Sequence, residues 1–190
     1  YRIGSATQAG GNATSMEVFD GLIDHVVVEK LAHDASAIQS IMREAPVFNL
    51  HLDEDLNTSS FVDSTQYSNN ASCVAGQCPQ AGAKGQVREA PVFDGKNDML
   101  TIADSSELDL TQFTVGLWVK PSTRKSDFQP LITKEANNGS NRHFGLFIRP
   151  DSMTVHYSIN QANCSTWVSG NSSTELFENT WNHLMLTYNG

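Results

Sequence analysis

One seven-residue pattern occurs twice, and it limits what the chain can become. Val18-Phe19-Asp20-Gly21-Leu22-Ile23-Asp24 and Val92-Phe93-Asp94-Gly95-Lys96-Asn97-Asp98 share Val-Phe-Asp-Gly-x-x-Asp, and each leads into an apolar run. Gln-Ala-Gly precedes both, at residues 8–10 and 80–82. An Asp-Gly pair between apolar runs reads as a turn, because glycine takes positive φ freely and aspartate caps the turn's own backbone. The pattern predicts strand–turn–strand units at residues 16–19 with 23–29, and at 90–93 with 99–102.

The rest of the chain is dense in the same signals. Strands are expected at residues 1–4, 47–52, 113–120, 130–133, 144–149, 154–159, 165–168 and 180–188, with Asn-Gly, Pro-Asp and Ser-Gly-Asn turns among them. Many short strands at regular spacing specify an all-β, antiparallel two-sheet sandwich. One short helix is expected over residues 35–44. Asp34 is its N-cap, Ala37, Ile38, Ile41 and Met42 form its apolar stripe, and Pro46 follows its end. That stripe reads as packing. Residues 53–70 form a long polar segment carrying Asp53, Glu54, Asp55, Asn57, Asp63, Asn69 and Asn70. Structureless loops of that length are usually functional or stapled by an ion.

Charge narrows the partners. The 190 residues carry a net charge of −9 with only 17% charged side chains. Nothing resembles the Lys/Arg stripe that phosphate contacts need, so nucleic acid is not an expected partner. No apolar run approaches the ~18 residues of a membrane helix, so no membrane insertion is expected. An acidic, Ser/Thr/Asn/Gly-rich chain suits the extracellular space. It begins at Tyr1 and reads as a piece of a longer protein. Of three cysteines, Cys73 and Cys78 flank Val-Ala-Gly-Gln. That spacing is not a zinc knuckle; a disulfide is expected, with free thiols as the alternative. Cys164 is left over, either as a buried free thiol or with a partner elsewhere.

Three stretches bear a family resemblance. Residues 90–121 (Ala-Pro-Val-Phe-Asp-Gly … Phe-Thr-Val-Gly-Leu-Trp-Val-Lys-Pro) resemble the front half of a LamG-like jelly roll of the concanavalin A-like lectin/glucanase superfamily. Residues 181–190 (Trp-Asn-His-Leu-Met-Leu-Thr-Tyr-Asn-Gly) resemble its Trp-x-His strand. Residues 1–44, with Arg2-Ile3-Gly4-Ser5 and Phe19-Asp20-Gly21-x-Ile23-Asp24, resemble its back half. The order is inverted relative to the family. The resemblance therefore implies that 1–44 closes one LamG-like repeat and 45–190 opens the next, as in a tandem-repeat surface or filament protein. A half-sandwich would expose an apolar face and open edges. Completion is expected either in cis or head-to-tail, with other copies or neighbouring repeats as partners.

The chemistry expected is binding, not catalysis. The family's glucanases carry Glu-x-Asp-x-x-Glu on one strand; Glu17-Val-Phe-Asp20 and Glu175-Leu-Phe-Glu178 both lack the middle acid. The six histidines form no His-Glu-x-x-His pair. Asp53-x-Asp55-x-Asn57 opens like a calcium loop, but Thr58 and Ser64 stand where Gly and Glu are required. The resemblance instead implies a structural calcium held by Asp63 with oxygens near Asn69 and Asn70, joined by Asp24 from the closing half. For glycans, Trp118 reads as core and Trp167 is the candidate stacking platform. Six Asn-x-Ser/Thr sequons begin at Asn12, Asn57, Asn70, Asn138, Asn163 and Asn171. The function expected is a non-catalytic structural or adhesive module, with a calcium-dependent carbohydrate-binding module as the alternative.

Overall fold

Two antiparallel sheets face each other across one apolar core in the computed structural model, which describes residues 1–7, 16–30, 46–135, 142–160 and 167–190. The expected helix, Cys164 and the sequons at Asn12, Asn138 and Asn163 lie outside the described residues. The strands are β1 (Arg2–Ile3), β2 (Ser5–Thr7), β3 (Met16–Val18), β4 (Asp20–Glu29), β5 (Phe48–Leu50), β6 (Ser60–Phe61), β7 (Ala71–Ser72) and β8 (Gln80–Lys84). After them come β9 (Glu89–Asp94), β10 (Leu100–Ile102), β11 (Phe113–Pro121), β12 (Gln129–Glu135), β13 (Arg142–Ile148), β14 (Thr154–Asn160), β15 (Trp167–Glu175) and β16 (Asn182–Tyr188). A single 3-10 turn, Ser106–Leu108, precedes β11.

One of the two large sheets runs β15-β14-β13-β12-β1-β10-β7-β6 and the other β16-β11-β4-β9-β8 with β5 also on β4, while β2 and β3 form a separate two-stranded sheet. The alternation that strands impose explains the layers. Phe144, Leu146 and Ile148 of β13 and Val115, Leu117 and Val119 of β11 point inward and are almost wholly buried. Each such side chain contributes about 1.5–3 kcal/mol over an exposed one. Trp118, expected in the core, takes the opposite parity. It lies half-buried on the outer face, its ring 4.8 Å from His183.

The N-terminal strands complete both sheets in cis. Arg2 and Ile3 pair with Thr101 and Leu100 on one side and with Thr133 and Ile132 on the other. β4 lies between β11 and β9. β1 and β4, from residues 1–30, pair with later strands of the same chain.

The repeated pattern has two different outcomes. At Asp94-Gly95 the expected turn forms, and it carries the chain from one sheet to the other. At Asp20-Gly21 no turn forms: the segment runs straight through β4. The copies pair with each other, Asp20 opposite Asp94 and Gly21 opposite Phe93, with the Phe19 and Phe93 rings 6.1 Å apart. A second expected turn also fails, since Ser169-Gly170-Asn171 lies inside β15. That strand is exposed along almost its whole length, so it lacks the apolar alternation that marks a strand in sequence. Within the polar segment 53–70, Ser60 and Phe61 form the short strand β6.

Candidate functional site

The residues expected to hold calcium fall into two places. Asp63 Oδ1 accepts the N–H groups of Asn49 (2.8 Å) and Thr65 (3.0 Å). Its Oδ2 accepts the Thr65 hydroxyl (2.6 Å) and the Asn69 N–H (2.8 Å). Asn70 Oδ1 accepts from the Asp63 N–H, and Asn69 donates to the Val47 carbonyl while accepting from Ser105. Asp63, Asn69 and Asn70 do come together. Four donors occupy the roughly four acceptor directions of the Asp63 carboxylate and tie down this loop. Asp24 works elsewhere: its Oδ2 accepts the N–H groups of Gln86 (3.1 Å) and Val87 (3.2 Å) in the β8–β9 turn. Among the described residues, no group of three or more His, Cys, Asp or Glu is arranged to hold a metal ion. Cys73 and Cys78 form the expected disulfide.

The more informative site lies on the outer face of the eight-stranded sheet. His156 alternates with the buried residues of β14 and is half-buried on the outer face, while Phe147 takes the parity opposite to Phe144, Leu146 and Ile148 yet is only 2% exposed, covered by its neighbours. Phe128, just before β12, closes on them at 6.2 Å from Phe147 and 5.6 Å from His156. Trp167 opens β15 and stands 39% exposed beside them. With Glu17 of β3, Ser158 and Ser169, these residues line a groove of about 240 Å³. Gly145 makes room for it, since a Cβ there would sit 2.4 Å from the Phe147 ring.

A polar chain borders the groove. With its amide nitrogen toward the ring, Asn171 donates to His156 Nδ1 at 2.9 Å and its oxygen accepts from Arg149 at 3.1 Å. The imidazole proton then resides on Nε2. Arg149 grips Asp151 through two bonds of 2.9 and 2.6 Å. The Arg149 hydrogen bond holds the Asp151 carboxyl well below the ordinary carboxylate range. The Arg149 cation that borders this polar chain is therefore already matched by an anion. Rings beside a polar rim of Ser158, Ser169 and Glu17 make a surface on which the C–H face of a sugar can stack.

Trp167 was visible in sequence as a candidate; Phe128, Phe147 and His156 were not. The usable signal was parity, since once β13 and β14 are aligned on their core residues, aromatics fall on the outward positions. On this fold the family comparison has a clear meaning. Residues 94–190 match a laminin G-type model described as the Concanavalin A-like lectin/glucanases superfamily. The chain belongs to that superfamily, whose members commonly serve as non-enzymatic or carbohydrate-binding modules. No curated protein and no solved structure matches the chain.

Proposed function

We propose that this chain is an extracellular, non-catalytic adhesive module that holds a neutral sugar ring in the groove of Trp167, His156, Phe147 and Phe128. The observation that carries the reading is the convergence of Trp167, His156 and Phe128, backed by the buried Phe147, on the outer face of one sheet. The pairing of Arg149 with Asp151 favours a neutral glycan over an acidic one, because an anionic sugar would have to displace a bidentate carboxylate. The disulfide supports an oxidising compartment. Among the described residues no helix is long and apolar enough to cross a membrane.

A nuclear magnetic resonance titration with neutral mono- and oligosaccharides tests the reading. Shifts should concentrate at Trp167, His156 and Ser169, and Trp167→Ala should weaken binding by about tenfold or more, as for a stacking anchor. Binding should survive a chelator, since among the described residues Glu17 alone supplies a carboxylate to the groove. A panel that moves no resonance in the groove, or an unimpaired Trp167→Ala variant, overturns the proposal.

A further inference from the structure

Ser158 lies in the middle of the aromatic groove, in a row of small residues. On the outer face of the larger sheet it stands between Gly145 of β13 and Ser169 of β15, its direct partners on the neighbouring strands. Two residues along the strands, His156 pairs with Asn171 on one side and Asn160 with Trp167 on the other. Residues two apart on a strand share a face and are about 7 Å from each other. The small row is therefore a floor between taller side chains.

That floor carries a hydroxyl with nothing to bond. Ser158 is 8% exposed, and its Oγ is buried without a hydrogen-bond partner. Other hydroxyls of this sheet are paired. Thr133, which continues the same row beyond Gly145, donates to the Ser5 carbonyl at 3.2 Å. Ser172 accepts the Val155 N–H at 2.9 Å and donates to the Thr174 carbonyl at 2.7 Å. A buried polar group left unpaired bears its full desolvation cost, whereas an exposed one such as Ser169 only exchanges water for a new partner. Alanine would fill nearly the same space, so packing does not explain the oxygen.

We propose that Ser158 is the specificity-determining residue of the groove, its hydroxyl reading one equatorial hydroxyl of a pyranose whose face stacks on Trp167. This role rests on the sugar-binding reading of the groove and adds which part of the sugar is recognised. Strand side chains stand roughly perpendicular to their sheet, so a ring stacked on Trp167 turns its edge to the floor. Equatorial hydroxyls project from that edge. Serine both donates and accepts, and rotation about its single side-chain bond aims the oxygen at the ligand. A sugar without the matching hydroxyl leaves Ser158 unpaired in the complex too, which is how a buried polar group discriminates.

Methyl β-glucopyranoside, whose ring hydroxyls are all equatorial, and its monodeoxy analogues are the probes, titrated by nuclear magnetic resonance into the 190-residue chain. One analogue should bind about tenfold more weakly than the parent sugar. Ser158→Ala should lose the same factor for the parent sugar and nothing for that analogue, while melting no lower than the unsubstituted protein. Trp167→Ala should weaken every sugar alike. If Ser158→Ala binds every sugar as before while Trp167→Ala is impaired, the role of Ser158 is wrong and the groove stands. Equal losses for all analogues, or a clearly lower melting midpoint without sugar, make Ser158 a structural residue and overturn the proposal. Absence of any shift with these glucosides overturns it as well, and the neutral-sugar panel then decides whether the groove binds sugar at all.

Discussion

The two copies of Val-Phe-Asp-Gly-x-x-Asp begin alike and end differently. In the second, Lys96-Asn97 follows the glycine, and the chain bends between the sheets. In the first, Leu22-Ile23 follows, Ile23 is fully buried, and the backbone has no reason to leave the core. The residues after the glycine decide between turn and strand. The closing aspartate shows the same split. Asp98 Oδ2 accepts the N–H of Asp94 at 2.8 Å, capping its own turn, whereas Asp24 caps a turn more than sixty residues away. One short pattern thus supplies either a local corner or a long-range tie.

Substitution of the two glycines should separate these roles most sharply. Gly21 has φ +152, and a Cβ there would meet the Lys120 carbonyl oxygen at 2.5 Å, a backbone atom of β11 that cannot retreat. Gly95 has φ +68, a left-handed value that a side chain tolerates better than +152, although its Cβ would meet Asp20 Cβ at 2.5 Å, one bond from the β4 backbone. Gly21→Ala should cost roughly 4 kcal/mol and Gly95→Ala roughly 2–3 kcal/mol in denaturant titrations. Equal costs would mean that the two copies are strained alike.

Next in size is the disulfide. Its ring braces only the second copy, where Asn97 donates to the Gly76 carbonyl (2.7 Å) and the Met99 N–H to the Gln77 carbonyl (3.0 Å). Replacing both cysteines by serine should lower stability by about 2 kcal/mol, the loop-closure value for so short a ring. Hydrogen exchange should quicken at residues 94–99 before it does at 20–24; uniform quickening would break the distinction.

A smaller effect should follow removal of the aspartates. Asp24→Ala should cost about 2 kcal/mol and Asp98→Ala about 1 kcal/mol by thermal unfolding, since Asp24 releases two backbone donors and Asp98 one. The reverse order would show that the local cap is the stronger. Calcium should do least. With Asp63 saturated by protein donors and Asp24 engaged elsewhere, neither calcium nor a chelator should move the melting midpoint. A clear rise with calcium would restore the ion-bridged reading of Asp24, Asp63, Asn69 and Asn70.

Much of the sandwich was legible because buried strands announce themselves. β11, β13 and β14 fall within two residues of their expected limits, since each alternates apolar and polar residues. β15 was foreshortened because an exposed edge strand has no buried face to alternate, and its Gly170 reads as a turn. That glycine instead makes room for Tyr157, whose hydroxyl would lie 2.6 Å from a Cβ. The aromatic groove was legible only at Trp167. Its other rings are contributed by separate segments, and no spacing along the chain records that the fold joins them. Trp118 misled for the opposite reason: an aromatic inside an apolar strand looks buried whichever face it takes.

The places of β1 and β4 set the tempo of folding. Each lies between strands contributed by much later parts of the chain, and Ile3 must find Leu100 and Ile132 before the larger sheet can close. Such distant pairings give a high contact order, for which loop closure precedes any reward.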